Sequence, residues 1–290
     1  MIKTVSKIAL ATLIASSAMG PAFAAKEGDV TINGNAEQST QVFGGNTTTA
    51  TLAQTDADTS IGFVNASRIN GELDQSTFVL AGNLTTAAGI RATAETNIGG
   101  TINTDIQDLF QQTNVAAFNS TTAIGVGADA RTDIGYIDGL EGKGDVGQTT
   151  NMLGANITLA AGLDSDALTR IGYIADTQAD GDVTQETWMA GLNTTTALGL
   201  PYTDATTEIG SIADSRISGE LRQNTVMGGN NTTLAGGFSA DAETYIGAIA
   251  NTTVSGQLTQ STSMVGINLT SATGLNANAC TTIGGMGKSC

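Results

Sequence analysis

The chain contains no histidine, only 4% aromatic residues, two prolines and two cysteines in 290 residues. Each shortage closes a route. Without histidine there is no Ser-His-Asp or Cys-His catalysis and no imidazole-bound metal. Charged residues make up 13% of the chain, about half of the ~25% usual in globular domains. What charge exists is mostly acidic: 27 Asp and Glu against 11 Lys and Arg, a formal net charge of −16. Such a chain is ill suited to neutralising phosphates, so no nucleic-acid partner is expected. Two thiols cannot hold a chain of this length together. Yet 40% hydrophobic residues and a mean hydropathy of +0.04 are too apolar for a disordered acidic tail. An ordered chain with a partly polar interior is left.

The two ends stand apart. Residues 1–24 read as a secretory signal: Lys3 and Lys7, the apolar stretch Ile8 to Met19, then Ala22-Phe23-Ala24 as a small-x-small cleavage site. The apolar stretch is too short for a membrane anchor, and no later segment is expected to span a bilayer. Cleavage after Ala24 leaves residues 25–290 with nine basic against 27 acidic residues, a charge of −18. Cys280 and Cys290 then lie in an oxidising compartment, where a disulfide pinning the last turn is expected. A reactive pair is the alternative, although the spacing is not Cys-x-x-Cys.

Between the ends the chain repeats. Ile-Gly recurs at Ile61, Ile98, Ile134, Ile171, Ile209, Ile246 and Ile283. Gln-x-Thr begins at Gln38, Gln75, Gln111, Gln148, Gln185, Gln223 and Gln260. Eight residues after each glutamine stands an asparagine: Asn46, Asn83, Asn119, Asn156, Asn193, Asn231 and Asn268. Seven units of ~37 residues (approximately 29–64, 65–101, 102–137, 138–174, 175–212, 213–249 and 250–290) fill the mature chain as a single domain. Counted from the glutamine, the restricted positions are all even: Thr at two, Val or Met at four, Gly or Ala at six, Asn at eight, Thr at ten and Ala at twelve. Period two is the strand signature, with alternate side chains on opposite faces. The later segment Ala-x-Thr-x-Ile-Gly alternates likewise but with shifted parity. A turn or bulge is therefore expected at the glycine fourteen residues after the glutamine in six copies.

The fold class expected is all-β, a β-solenoid in which each unit coils once. Stacking at ~4.8 Å lets each Gln and Asn amide donate to one copy and accept from another. The seven glutamines and seven asparagines are thus expected to form two structural ladders. One coil per unit gives a rod of about 34 Å; two coils per unit would give about 67 Å but would alternate Gln with Ala. The main rival is a transmembrane β-barrel, which needs aromatic girdles and an outer apolar band. Trp188 is the only tryptophan. Copies three and four are the least regular, with Gln107 replacing a glycine and Gly142-Lys143-Gly144 interrupting an apolar column, and are expected to be the weakest.

The unit Gln-x-Thr-x-Φ-x-Gly-x-Asn-x-Thr-x-Ala resembles the curlin repeat in its logic, although curlin repeats are much shorter. The ~37-residue length and the C-terminal cysteine pair are similar to the fibre subunits of the Pseudomonas Fap system, whose repeats are not tandem. The resemblance implies export as an unfolded chain through an outer-membrane partner, assisted nucleation, polymerisation with copies of itself at the cell surface, and a role in biofilm matrix or attachment. A monomeric capped solenoid serving as a surface adhesin is the alternative.

Other chemistry is weighed against structural roles. Asp56, Asp129, Asp166, Asp204 and Asp241 recur five residues before Ile-Gly and form a candidate Ca²⁺ column, since calcium prefers oxygen ligands. They lack the glycine-rich spacing of calcium solenoids, and a solvated turn that discourages mispairing is the expectation. Asn-x-Thr is formally a glycosylation sequon, but its residues belong to the inward set, and the threonine columns read as inward for the same reason, not as an ice-binding plane. No carboxylate pair or activated nucleophile recurs, so neither enzymatic activity nor a cofactor is expected.

Overall fold

The computed structural model describes residues 8–13, 30–80 and 82–287. Period-two alternation becomes long strands. In the fifth unit these are Val183–Gly199 and Tyr202–Ile209, and the two-residue strands Ile212–Ala213 and Arg216–Ile217 lead into the sixth. Strands pair in parallel with their counterparts in adjacent units, and the architecture is a stack of coils, a β-solenoid of about seven turns. Gln148 faces Gln185 and Gln185 faces Gln223, as Asn156 faces Asn193 and Asn193 faces Asn231. One unit is one coil.

Three sides of the coil matter below. The Gln side runs up to the Gly or Ala six residues after the glutamine. The Asn side carries Asn-x-Thr-x-Ala. The Ile side carries Ala-x-Thr-x-Ile and packs against the Asn side. The parity shift falls where expected, between the Asn and Ile sides. There Gly125 and Gly162 have φ of +150° and +151°, and Arg91 and Asp164, two residues further along the corner, have φ of +54° and +53°. A Cβ on Gly125 or Gly162 would collide with the carbonyl of the glycine one coil below, so the corner column closes only with glycine.

The core is layered by column. Alanines such as Ala123, Ala130, Ala160 and Ala167 fill the narrow slot between the Asn and Ile sides. Val115, Met152 and Met189 meet Ile134 and Ile171 at its wider end. Leu109, Val146 and Val183 form a third column with Ile137 and Ile174. The irregular third copy is accommodated by one register shift, between Ile69 and Glu72. Gly142 occupies the position of Ile106 and Ala179 in adjacent coils.

Of the expected leader, only Ile8–Leu13 fall among the described residues; they form a strand paired in parallel with Ala36–Gln41. The cleavage motif lies outside them. Among the described residues no helix is long and apolar enough to cross a membrane.

Candidate functional site

The polar columns are where sequence and geometry meet. The asparagines form the ladder expected of them over most of the rod. Asn119 Nδ2 donates to Asn156 Oδ1 at 2.7 Å, Asn156 to Asn193 and Asn193 to Asn231 at 2.8 Å, and Asn231 to Asn268 at 2.7 Å. The ladder does not extend to the first coils: Asn83 is in register with Asn46 and Asn119, yet neither of its amide atoms has a partner. The sequons of the second to sixth coils are buried within this slot.

The glutamines behave differently, and here the expectation needs correcting. Direct amide-to-amide bonds join only Gln148, Gln185 and Gln223, at 3.2 and 3.0 Å. The recurrent partner is instead the carbonyl of the Ile-Gly glycine. Gln148 Nε2 donates to Gly135 O at 2.6 Å, and Gln75, Gln111, Gln185, Gln223 and Gln260 make the same bond to Gly62, Gly99, Gly172, Gly210 and Gly247. In the first coil Gln38 reaches Phe63 O at 3.5 Å. The threonine two residues on adds a bond to the same glycine carbonyl, as Thr150 does to Gly135 at 3.3 Å. Its side chain also fills the space a glycine Cβ would need. With φ near +60° at Gly99, Gly135 and Gly172, the glycine is required twice over. Gln-x-Thr and Ile-Gly, separate landmarks in sequence, are two halves of one clamp.

A third column joins two sides of the coil. Thr85 bonds to Thr59, Thr96 to Thr85, Thr121 to Thr96 and Thr132 to Thr121, at 2.8–2.9 Å. The zigzag continues through Thr158, Thr169, Thr195, Thr207, Thr233 and Thr244. It reaches Thr48 at one end and Thr270 and Thr281 at the other. Each interior hydroxyl has one hydroxyl neighbour before it and one after. In the end coils the same columns surface: Gln38, Asn46 and Thr48 are half-buried, as are Gln260, Asn268 and Thr270, and Thr281 is exposed.

The aspartates Asp129, Asp166, Asp204 and Asp241 stack in register, and Asp56 stands opposite Thr93. They lie within strands, on the outward face of the Ile side, and not in a turn as the sequence suggested. Lost hydration raises the carboxyls of Asp129, Asp166 and Asp204 above their ordinary range, and for Asp166 the stacked neighbours Asp204 and Asp129 add to it. Asp58 on the same outward face is pushed up to about 6, by lost hydration and then by Glu95 and Asp56. Among the described residues no three or more Asp, Glu, Cys or His side chains gather as a metal-binding set.

Sequence reasoning missed a charged column directly before the isoleucines. There Asp133, Arg170 and Glu208 follow one another in successive coils. Arg170 Nε pairs with Glu208 at 3.0 Å and its guanidinium lies 4.5 Å over the Tyr173 ring, while Arg131 pairs with the fully buried Asp133. Burial raises both carboxyls and the arginines pull them back down. Unlike the outward aspartate column, this one carries its charge with alternating sign. The signal was present at variable positions, where a search for identical residues does not look.

In the last coil Cys280 is held in a disulfide and is not a free thiol; Cys290, its expected partner, lies outside the described residues. No known protein family, curated protein or solved structure matches the chain.

Proposed function

We propose that this chain is a secreted structural subunit that assembles end to end with copies of itself into extracellular amyloid-like fibres, in biofilm matrix or surface attachment. The observation that carries the reading is that, among the described residues, the threonine file runs through every coil and the last coil presents an unpaired strand edge. Thr281 and Thr48 end the hydroxyl file. Asn268 donates only to Thr270 and Thr281 at 3.4 Å. The strand Leu258–Thr273 has a partner on one side only among the described residues. Unpaired parallel edges of this kind recruit further strands. A subunit whose last coil matches its first in pattern has its own copy as the best template, and export and nucleation proteins are the further partners this reading requires. Removal of the leader exposes the Ala36–Gln41 edge that Ile8–Leu13 occupy in the full chain. The columns are structural, and the reading involves no catalysis.

The test is direct. Processed protein should convert within hours or days into thioflavin-positive fibres with a cross-β reflection near ~4.7 Å. Persistent monodisperse monomer would refute the reading. One observation favours a capped monomeric adhesin instead: the disulfide at Cys280 sits in the terminal coil. If it is a cap, C280S should accelerate fibre growth; if it is a staple for the templating coil, C280S should slow it.

A further inference from the structure

The outward residues of the Asn side share a property although they share no identity. Residues 41–53, 78–90, 114–126, 151–163, 188–200, 226–238 and 263–275 contain no Asp, Glu, Lys or Arg. Among the described residues every charged side chain belongs to another part of the coil. At the corner with the Ile side, directly after the glycine column, stand Ile90, Val126, Leu163, Leu200, Phe238 and Leu275, one in each coil from the second to the seventh and 44–77% exposed. Along the opposite margin Phe118 and Leu192 are exposed, and Leu80 and Leu153, just before the corner on the Gln side, are exposed as well. Between the two ridges lies a sheet of in-register parallel strands whose outward side chains are Thr, Ser, Ala, Leu and Ile, among them Thr86, Thr122, Ile157 and Thr194.

We infer that this charge-free face is a lateral docking surface for a second copy of the same chain, so that two rods lie side by side. Three observations select that occupant. The first is area. Eight residue steps across, as from Phe118 to Val126, and seven coils along give a face of about 26 by 34 Å, roughly 900 Å² per copy, against the ~800 Å² per partner of a standard stable interface. The second is charge. The molecule is strongly acidic, and Asp129, Asp166, Asp204 and Asp241 line the Ile side, so acid meets acid on that approach. Joining the charge-free faces sends both acidic sides outward. The third is arrangement, since an in-register sheet bordered by apolar ridges can meet its own copy as two sheets meet in a sandwich. Exposed apolar ridges on either side of an uncharged sheet mark an interaction site.

The lateral contact deepens the fibre reading but can be tested without it. Fibres of the processed protein should carry two chains per ~34 Å in mass-per-length electron microscopy. The variant L163E/F238E puts one glutamate on the ridge of two non-adjacent coils, where both side chains are already exposed, and its circular dichroism and melting should stay close to those of the parent. It should yield filaments of half the mass per length that still elongate. L163T/F238T, which keeps strand propensity, should loosen pairing to a lesser degree and guards against misfolding of the glutamate variant. If no fibre forms, the end-on reading fails, and the lateral contact is read by sedimentation equilibrium: two-chain mass for the parent and one-chain mass for L163E/F238E. One chain per ~34 Å in parent fibres, unchanged mass per length in the variant, or a monomer that floats with phosphatidylcholine vesicles through this face would each overturn the inference.

Discussion

The glutamine and asparagine columns use the same functional group and recur with the same period, yet they do different work. The Asn amide is short and stays in its own column, where the nearest partner is the copy in the next coil. The Gln amide has one more methylene and crosses the coil to the turn, where it satisfies the Ile-Gly carbonyl. A buried carbonyl without a donor costs about 1–3 kcal/mol, so the longer reach closes each coil, whereas the shorter one ties coils together. Repetition alone therefore does not make a ladder; side-chain length decides whether an amide bonds along the rod or across it.

The clamp should be the more fragile partner in that comparison. G172A places a methyl group onto the Thr187 side chain at a residue with φ of +60°. It should destabilise by about 3 kcal/mol or more, combining left-handed strain with overpacking, as read from denaturant unfolding. Exchanging the two lengths sharpens the point. Q185N withdraws the donor from Gly172 O and N193Q overfills a fully buried site, so each should cost about 2 kcal/mol. Near-neutral exchange would mean that amide chemistry suffices and reach does not matter. T169V removes the bonds to Thr158 and from Thr195 and should cost about 1–2 kcal/mol.

Charged columns should respond to pH where these neutral ones do not. A carboxyl raised on folding stabilises fully below its ordinary pKa near 4, and that contribution disappears as pH rises through the folded value. Asp58, at about 6, and Asp129, Asp166, Asp204 and Glu208, raised in the same direction, therefore favour the folded rod in mild acid. Thermal melts should shift upward from pH 7 to pH 5, and D58N should flatten that dependence. The smallest effect is expected at Gly142. G142A adds a methyl group 3.3 Å from Val146 Cγ2, in a column where Ala179 already carries one, and should stabilise by about 0.5 kcal/mol as the unfolded chain loses freedom.

Much of this was readable before the structure. Alternation fixed which residues point inward, and stacking Gln on Gln favoured one coil per unit over two, although most of these amides bond to the Ile-Gly carbonyls instead. The Gly125 and Gly162 corner was visible as a change of parity. The clamp was not, because Gln148 and Gly135 are brought together by the width of the coil, which no local pattern encodes. The Asp133, Arg170 and Glu208 column escaped because complementary charges share no identity. The apolar ridge from Ile90 to Leu275 escaped for a related reason: Ile, Val, Leu and Phe vary by name while conserving only the absence of charge from coil to coil.

The threonine file has one more consequence. Every interior hydroxyl has one hydroxyl neighbour on either side and gives to one as it takes from the other, so the dipoles along the file turn together and none reverses unless the rest do. Two threonines per coil thus make the molecule an oriented object, with a giving end and a receiving end. In a rod extended by further copies, what passes across each seam is a heading as well as an alignment, and a copy arriving upside down would set like against like at the first hydroxyl it met.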